Sequence, residues 1–178
     1  GYRIMLAFAL LFPYYGVNSR MIEYRGSSEF GARQPATLNG LAYIHRYNPD
    51  EYEAIMWLRN NINGSPVIIE AVGGQYSGFG RISANTGLPT LLGWAGHEYQ
   101  WRGPTTTEPG IRDQVVRDIY SNPDWLTTAS LLDQYGVSYV VVGGLERDTY
   151  GPQVNEKFAG NLEVAFQNDS VTIYQWKN

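Results

Sequence analysis

The sequence predicts an α/β domain with a mostly parallel central sheet, flanking helices and a C-terminal antiparallel hairpin. Three observations predict it. The runs "VIIEAV" and "SYVVVGG" are short, apolar and β-branched, as strands buried on both faces are. Stretches with apolar residues at three- and four-residue spacing lie before and between them, as in amphipathic helices. At the end, "LEVAFQ" and "VTIYQW" flank "NDS", which reads as a hairpin. Helices alternating with strands favour a sheet covered on its faces.

Ile4 to Phe12 is an apolar run of nine residues followed by Pro13. A bilayer span needs about 20 residues, so this run alone is too short. A signal peptide is disfavoured because no small-residue cleavage site follows. The run reads either as a buried helix or strand or as the end of a transmembrane helix. Tyr14 and Tyr15 suit an interfacial aromatic belt, and the second reading is the expectation for residues 1–17. Residues 18–47 are polar, with little periodicity, and read as a connecting segment before an α/β domain over 48–178.

That domain opens on "NPDEYEAIMWLRNN". Asn48 is placed to cap a helix, Pro49 to occupy its first position and Glu51 to complete a capping box. Tyr52, Ile55, Leu58 and Ile62 give the helix an apolar face. The first strand, "VIIEAV", leads into the glycine-rich "GGQYSGFG", and "LPTLLG" is a candidate second strand. Val115, Val116 and Ile119 mark a helix over 112–120. Asn122 and Pro123 repeat the earlier start signal, and Gly136 is placed to end that helix in a left-handed conformation. After the strand "SYVVVGG", the segment "GGLERDTYG" reads as a loop with a solvated charge cluster. Residues 153–159 suggest a short helix.

Composition removes several function classes. The net charge is −4, with basic residues scattered, so a nucleic-acid surface is disfavoured. There is no cysteine, which excludes disulfides and thiolate metal sites. The two histidines, His45 and His97, lack metal-ligand spacing. The glycine loop is neither GxGxxG nor a P-loop, and Ser77 lies in S-G-F-G rather than in a nucleophile elbow. The sequons at Asn63 and Asn168 are of a kind common by chance.

Candidate contacts concentrate in the loops expected at the carboxyl ends of the strands, where ligands meet open α/β sheets. Glu70 ends a hydrophobic strand, and its carboxylate needs a partner if buried; Arg81 or Arg102 could supply one. The bland reading is a structural ion pair, the functional one a ligand contact or an acid/base group. Within "RISANTGLPTLLGWAGHEYQWRG", Trp94, His97, Tyr99 and Trp101 could form a stacking platform for sugars, with Glu98 and Arg102 taking hydroxyls. The bland reading is a packed loop, since tryptophan is often core material. His97 and Glu98 are also an adjacent acid/base pair, which is weak evidence for catalysis.

The order "TLNGLAYI", "AIMWLRNN", "VIIEAVGGQYSGFGRISANTGLPTLLGWAGHEYQWRG", "LLDQYGVSYVVVGGLER" and "VTIYQW" resembles the C-terminal part of the YYY-type polytopic membrane proteins. These form a largely uncharacterised prokaryotic family grouped with the GT-C-type glycosyltransferases. The resemblance runs from about Thr37 onward. It implies the soluble tail of a longer membrane protein that uses a lipid-linked sugar. The catalytic carboxylate, and any divalent metal, would then lie in the membrane part, with no cofactor in this domain. Oligosaccharyltransferases carry a Trp-Trp-Asp motif near the first strand of their soluble domain. "AVGGQYSGFG" stands in a loosely similar place and lacks it, so protein N-glycosylation is not implied.

The resulting expectation is a membrane-anchored, extracytoplasmic domain that assists acceptor or sugar binding. Glu70, Tyr76, Arg81, Trp94, His97, Glu98, Trp101 and Arg102 would line the binding surface. The alternative is a non-catalytic subunit or fragment packed on other membrane-complex subunits, with the aromatic loop as its interface. A free-standing Rossmann-like enzyme is weaker, for want of a phosphate motif.

Overall fold

A computed structural model describes residues 2–26, 37–103 and 105–177. The chain divides into two compact units, 1–39 and 40–178.

In the first unit, helix α1 spans Tyr2–Gly26. It runs through Pro13 and past Val17, so helix also occupies the start of the stretch read as connecting segment. Tyr2, Phe8, Leu10, Phe12, Tyr14, Tyr15 and Val17 are exposed, which departs from the reading of a buried element. Tyr14 and Tyr15 meet edge to face with ring centroids 5.3 Å apart. Among the described residues, no helix is long and apolar enough to cross a membrane. Residues 27–36, within the predicted connecting segment, lie outside the described residues.

The second unit is α/β. Helices α2 (Leu41–Tyr47) and α3 (Pro49–Asn61) precede strand β1 (Val67–Ile69). Helices α4 (Arg81–Thr86), α5 (Ala95–Arg102), α6 (Glu108–Ser121) and α7 (Trp125–Gln134) lead to β2 (Val137–Val142). Helices α8 (Gly144–Tyr150) and α9 (Val154–Ala159) then precede β3 (Glu163–Gln167) and β4 (Thr172–Gln175). The strand order is β1-β2-β4-β3. β1 and β2 are parallel, and β4 is antiparallel to both β2 and β3. The predicted C-terminal hairpin is therefore present, and its second strand reaches the middle of the sheet. "LPTLLG" contributes one parallel bridge, Ile68 to Thr90, in place of a full strand.

The sheet separates two cores because successive strand residues face opposite ways. Ile68, Val141 and Ile173 pack with Ala54, Ile55 and Leu58 of α3 and Ile82 of α4, with Leu41 and Ile44 of α2 against them. Ile69, Val140, Val142 and Tyr174 pack with α6, α7, α8 and α9 through residues such as Ile119, Leu132, Tyr150 and Phe158. Tyr120 crosses the second core. Its hydroxyl lies 3.1 Å from Ile69 O and 2.7 Å from Val141 O, one donor shared between carbonyls of neighbouring strands. Its ring stacks on that of Tyr150, 4.6 Å away and nearly parallel.

Asn48 caps α3 as predicted, its side chain accepting from Glu51 N. The other half of the expected box differs, because the Glu51 carboxylate turns to Arg81. Helix α7 starts later than predicted. Asp124 is its cap, accepting from Leu126 N and Thr127 N, while Asn122 supports Asp124 N. Gly136 has φ 62°, the left-handed conformation its position required. Asn168 is a structural side chain. It donates to Asp50 O and accepts from Val171 N, tying the hairpin turn to α3.

Candidate functional site

The carboxyl ends of β1 and β2 lie side by side, and a buried charge cluster covers them. Glu70 follows β1 and is fully buried. Its carboxylate accepts from Ile82 N and Ser83 N, both at 2.8 Å, filling the free amides at the start of α4. Glu146 is also fully buried. It accepts from Ala71 N beyond β1 and Gly143 N beyond β2, both at 2.8 Å, so one carboxylate clamps the two strand ends together. The segment "GGLERDTYG" is thus helix α8, with its glutamate in the interior, where a solvated charge cluster had been expected.

Arg81 is the cation that all three buried carboxylates share. It pairs with Glu146 through Nη1–Oε1 at 3.1 Å and Nη2–Oε2 at 3.0 Å. Its Nε donates to Glu51, and Nη1 lies 3.7 Å from Glu70 Oε2. The two ion pairs proposed for Glu70 resolve in favour of Arg81, since Arg102 pairs with Glu98 at 2.6 Å. Burial disfavours the charged forms of Arg81, Glu146 and Glu70, and the pairings push back unequally. Arg81 remains protonated because Glu146 and Glu51 outweigh its desolvation. Glu146 sits below the usual carboxylate range, its burial outweighed by the Arg81 charge and by the Arg81 and backbone hydrogen bonds. Glu70 is raised, because burial outweighs its hydrogen bonds and the more distant Arg81.

An aromatic cluster adjoins this cluster. Tyr76, Trp94 and His97 meet pairwise, with ring centroids 5.3, 5.1 and 5.1 Å apart. Trp94 Nε1 donates to Phe79 O at 2.6 Å, which fixes the indole against the glycine-rich loop. The loop approaches α5 closely: a Cβ at Gly96 would collide with the Gln75 side chain. Tyr76 holds φ at 57°, a left-handed value that L side chains adopt at a cost of about 1–2 kcal/mol. Its ring meets those of Trp94 and His97, and Tyr76 is 76% exposed.

The stretch from Arg81 to Gly103 contains two helices, α4 and α5, on either side of the candidate strand "LPTLLG", where no helix was expected. His97, Glu98, Trp101 and Arg102 all lie on α5, so the His97–Glu98 pair is helical. Trp101 is 86% exposed and Tyr99 partly so. The structure therefore sorts the eight candidate residues into two sets. Glu70 and Arg81 belong to the interior cluster. Tyr76, Trp94, His97, Glu98, Trp101 and Arg102 belong to the glycine loop and α5. Glu51 and Glu146 complete the charge cluster and were missed, because nothing in their local sequence marks them as buried.

An open cleft of about 620 Å³ runs between these sets. Phe79, Arg81, Ser83, Asn85, Trp94 and Glu98 are among the residues that line it. Among the described residues, no group of three His, Asp or Glu side chains is arranged to hold a metal ion. The buried carboxylates are engaged by backbone amides and Arg81.

No protein-family model matches this chain, and no curated protein does. Among solved structures, it is similar to the C-terminal globular domain of an oligosaccharyltransferase from Archaeoglobus fulgidus. The identity is 11% and the TM-score 0.47, over 81% of this chain and 100% of that one. At those values nothing about activity passes between the two.

Proposed function

We propose that residues 40–178 are the accessory domain of a membrane glycosyltransferase that uses a lipid-linked sugar. In this reading the glycine loop and α5 face the acceptor or the sugar. The observation that carries it is the cluster of Tyr76, Trp94 and His97, with rings in mutual contact at the edge of an open cleft. Aromatic faces suit the apolar faces of sugar rings, while hydroxyl and amide side chains suit their hydroxyls. Helix α1 supports membrane attachment, because its exposed apolar side chains surround the helix where a protein-packing helix has one stripe. The domain is read as extracytoplasmic, with the transfer chemistry outside residues 40–178.

Trp101 favours a second reading. At 86% exposed it is an anchor of the kind that protein interfaces use, which suits a non-catalytic subunit of a membrane complex. Purification of the native full-length protein from membranes, with mass spectrometry of everything recovered, separates the two. A polytopic chain carrying a polyprenyl-linked sugar supports the first. Recovery at fixed stoichiometry with other membrane proteins, and without such a lipid, overturns it.

A further inference from the structure

The cleft between α4 and the start of α5 has a chemical character that restricts its ligand. Among the described residues, the charged ones that line it are Arg81 and Glu98. Arg81 is already shared by Glu51, Glu70 and Glu146, so one guanidinium faces three carboxylates. With any one of these protonated, the cluster still carries net negative charge. Glu98 adds another carboxylate, paired with Arg102, so with that arginine counted four carboxylates stand against two guanidiniums. An anion entering here would meet an excess of negative charge in partly desolvated surroundings, where such repulsion is poorly screened.

The remaining lining groups are uncharged, some polar, some aromatic and some aliphatic, with Ala84, Leu88 and three glycines among them. Ser77, Ser83 and Asn85 offer hydroxyls and an amide, and Phe79 and Trp94 offer apolar surface. Thr90 also lines the cleft, and its buried hydroxyl has no hydrogen-bond partner among the described residues. A buried polar group left unpaired costs about 1–3 kcal/mol, which a ligand hydroxyl would recover once the Thr90 side chain turns its hydroxyl to the cleft.

We infer that this cleft takes a neutral, polyhydroxylated ligand, a saccharide ring, and rejects the phosphorylated end of a sugar donor. This rests on the sugar-facing reading above and narrows it. The lipid-phosphate portion of a donor would bind elsewhere, and the cleft would hold the uncharged acceptor or the sugar alone.

The test titrates the full chain with methyl β-glucoside and methyl β-N-acetylglucosaminide, then with the matching sugar 1-phosphates. The readout is the Trp94 indole NMR signal, assigned through Trp94→Phe. A methyl glycoside should shift it and bind at least about tenfold more tightly than its 1-phosphate. Thr90→Val should weaken the glycoside about five- to tenfold, as expected for one hydrogen bond whose partner is left buried. Glu98→Gln changes an exposed helical site and should narrow the gap by improving phosphate binding. It keeps the test decisive if Thr90→Val does not fold. Equal or tighter binding of the 1-phosphates overturns this inference and leaves a sugar-facing role standing. No shift of the Trp94 signal with any probe overturns both.

Discussion

Arg81 and Glu146 are joined by two parallel hydrogen bonds, at 3.1 and 3.0 Å, between residues 65 positions apart. This bidentate pair is buried, and Glu146 makes two further bonds to strand-end amides. Removing the guanidinium strands buried carboxylates. Arg81→Met should therefore cost about 3–5 kcal/mol, the range for breaking a buried pair from one side. Arg81→Lys should recover little, because an ammonium cannot match the carboxylate fork. Urea unfolding of the two variants against wild type measures both, and a loss below 1 kcal/mol would place the pair among weak surface interactions.

Glu70 should behave oppositely to Glu146 in acid. Its folded pKa is raised above the ordinary 4.5. Its contribution is therefore present below that value and lost as pH rises through the folded pKa. Glu146 is lowered, so its contribution is present above 4.5 and lost as pH falls through its folded pKa. Glu70→Gln keeps one acceptor for the α4 amides and removes the buried charge. Relative to wild type the variant should gain as pH rises from 4.5 towards the folded pKa of Glu70, whereas Glu146→Gln should lose ground as pH rises towards 4.5 from the folded pKa of Glu146. Denaturant midpoints across those ranges decide the sign for each.

Lys157 gives an alkaline counterpart. It is partly buried, donates to Ile119 O at 2.5 Å and lies 5.5 Å from the Phe158 ring centre. Burial lowers its pKa from 10.5 to about 8, against the pull of Asp118 and Asp124. The unfolded chain then holds more protons between those two values, so this group makes stability rise with pH across that window. Tyr120, Tyr150 and Tyr174 are all raised and act in the reverse sense once pH passes 10. The rise should show between about pH 8 and pH 9.5 and be absent in Lys157→Met. A parallel profile for the two proteins would remove the lysine from the account.

The surface aromatics should separate by role. Trp94→Ala removes the bond to Phe79 O and the ring contacts that hold Tyr76, so it should lower stability by about 2–4 kcal/mol. Trp101→Ala, at an exposed site, should change stability by less than about 0.5 kcal/mol. Thermal unfolding of both tests the contrast. A large loss at Trp101 would show that its ring is packed.

The elements that local sequence could announce were those that carry a local signal, a cap, a turn glycine or a β-branched run. Asn48 caps the helix that follows it, and the β-branched run before Gly143 forms β2. Gly136 sits three residues from Asp133 O and accepts the left-handed turn. Helices α4 and α5 were not announced, for a physical reason. Each is short, α4 is bounded by Gly80 and Gly87 at positive φ, and its first amides are capped by Glu70 from another element. Glu146 of α8 looked solvated because its partner Arg81 is distant in sequence. Pro89 and the single bridge at Thr90 left "LPTLLG" short of a strand. Of the candidate site, the aromatic residues were legible by type, whereas the division between interior cluster and exposed loop depends on long-range packing.

The clamp that Glu146 forms between Ala71 N and Gly143 N has a consequence for how the molecule assembles. It can close only after the long chain between β1 and β2 has folded over and the two strands have paired. Ordering such a loop precedes the reward of the contact it permits, so the clamp belongs to the late side of the folding barrier. Loss of Arg81 or Glu146 should therefore leave the refolding rate nearly unchanged and accelerate unfolding, visible as a lift of only the unfolding arm of a chevron. The cluster acts as a latch on the finished sheet and sets how long a folded molecule survives before it opens.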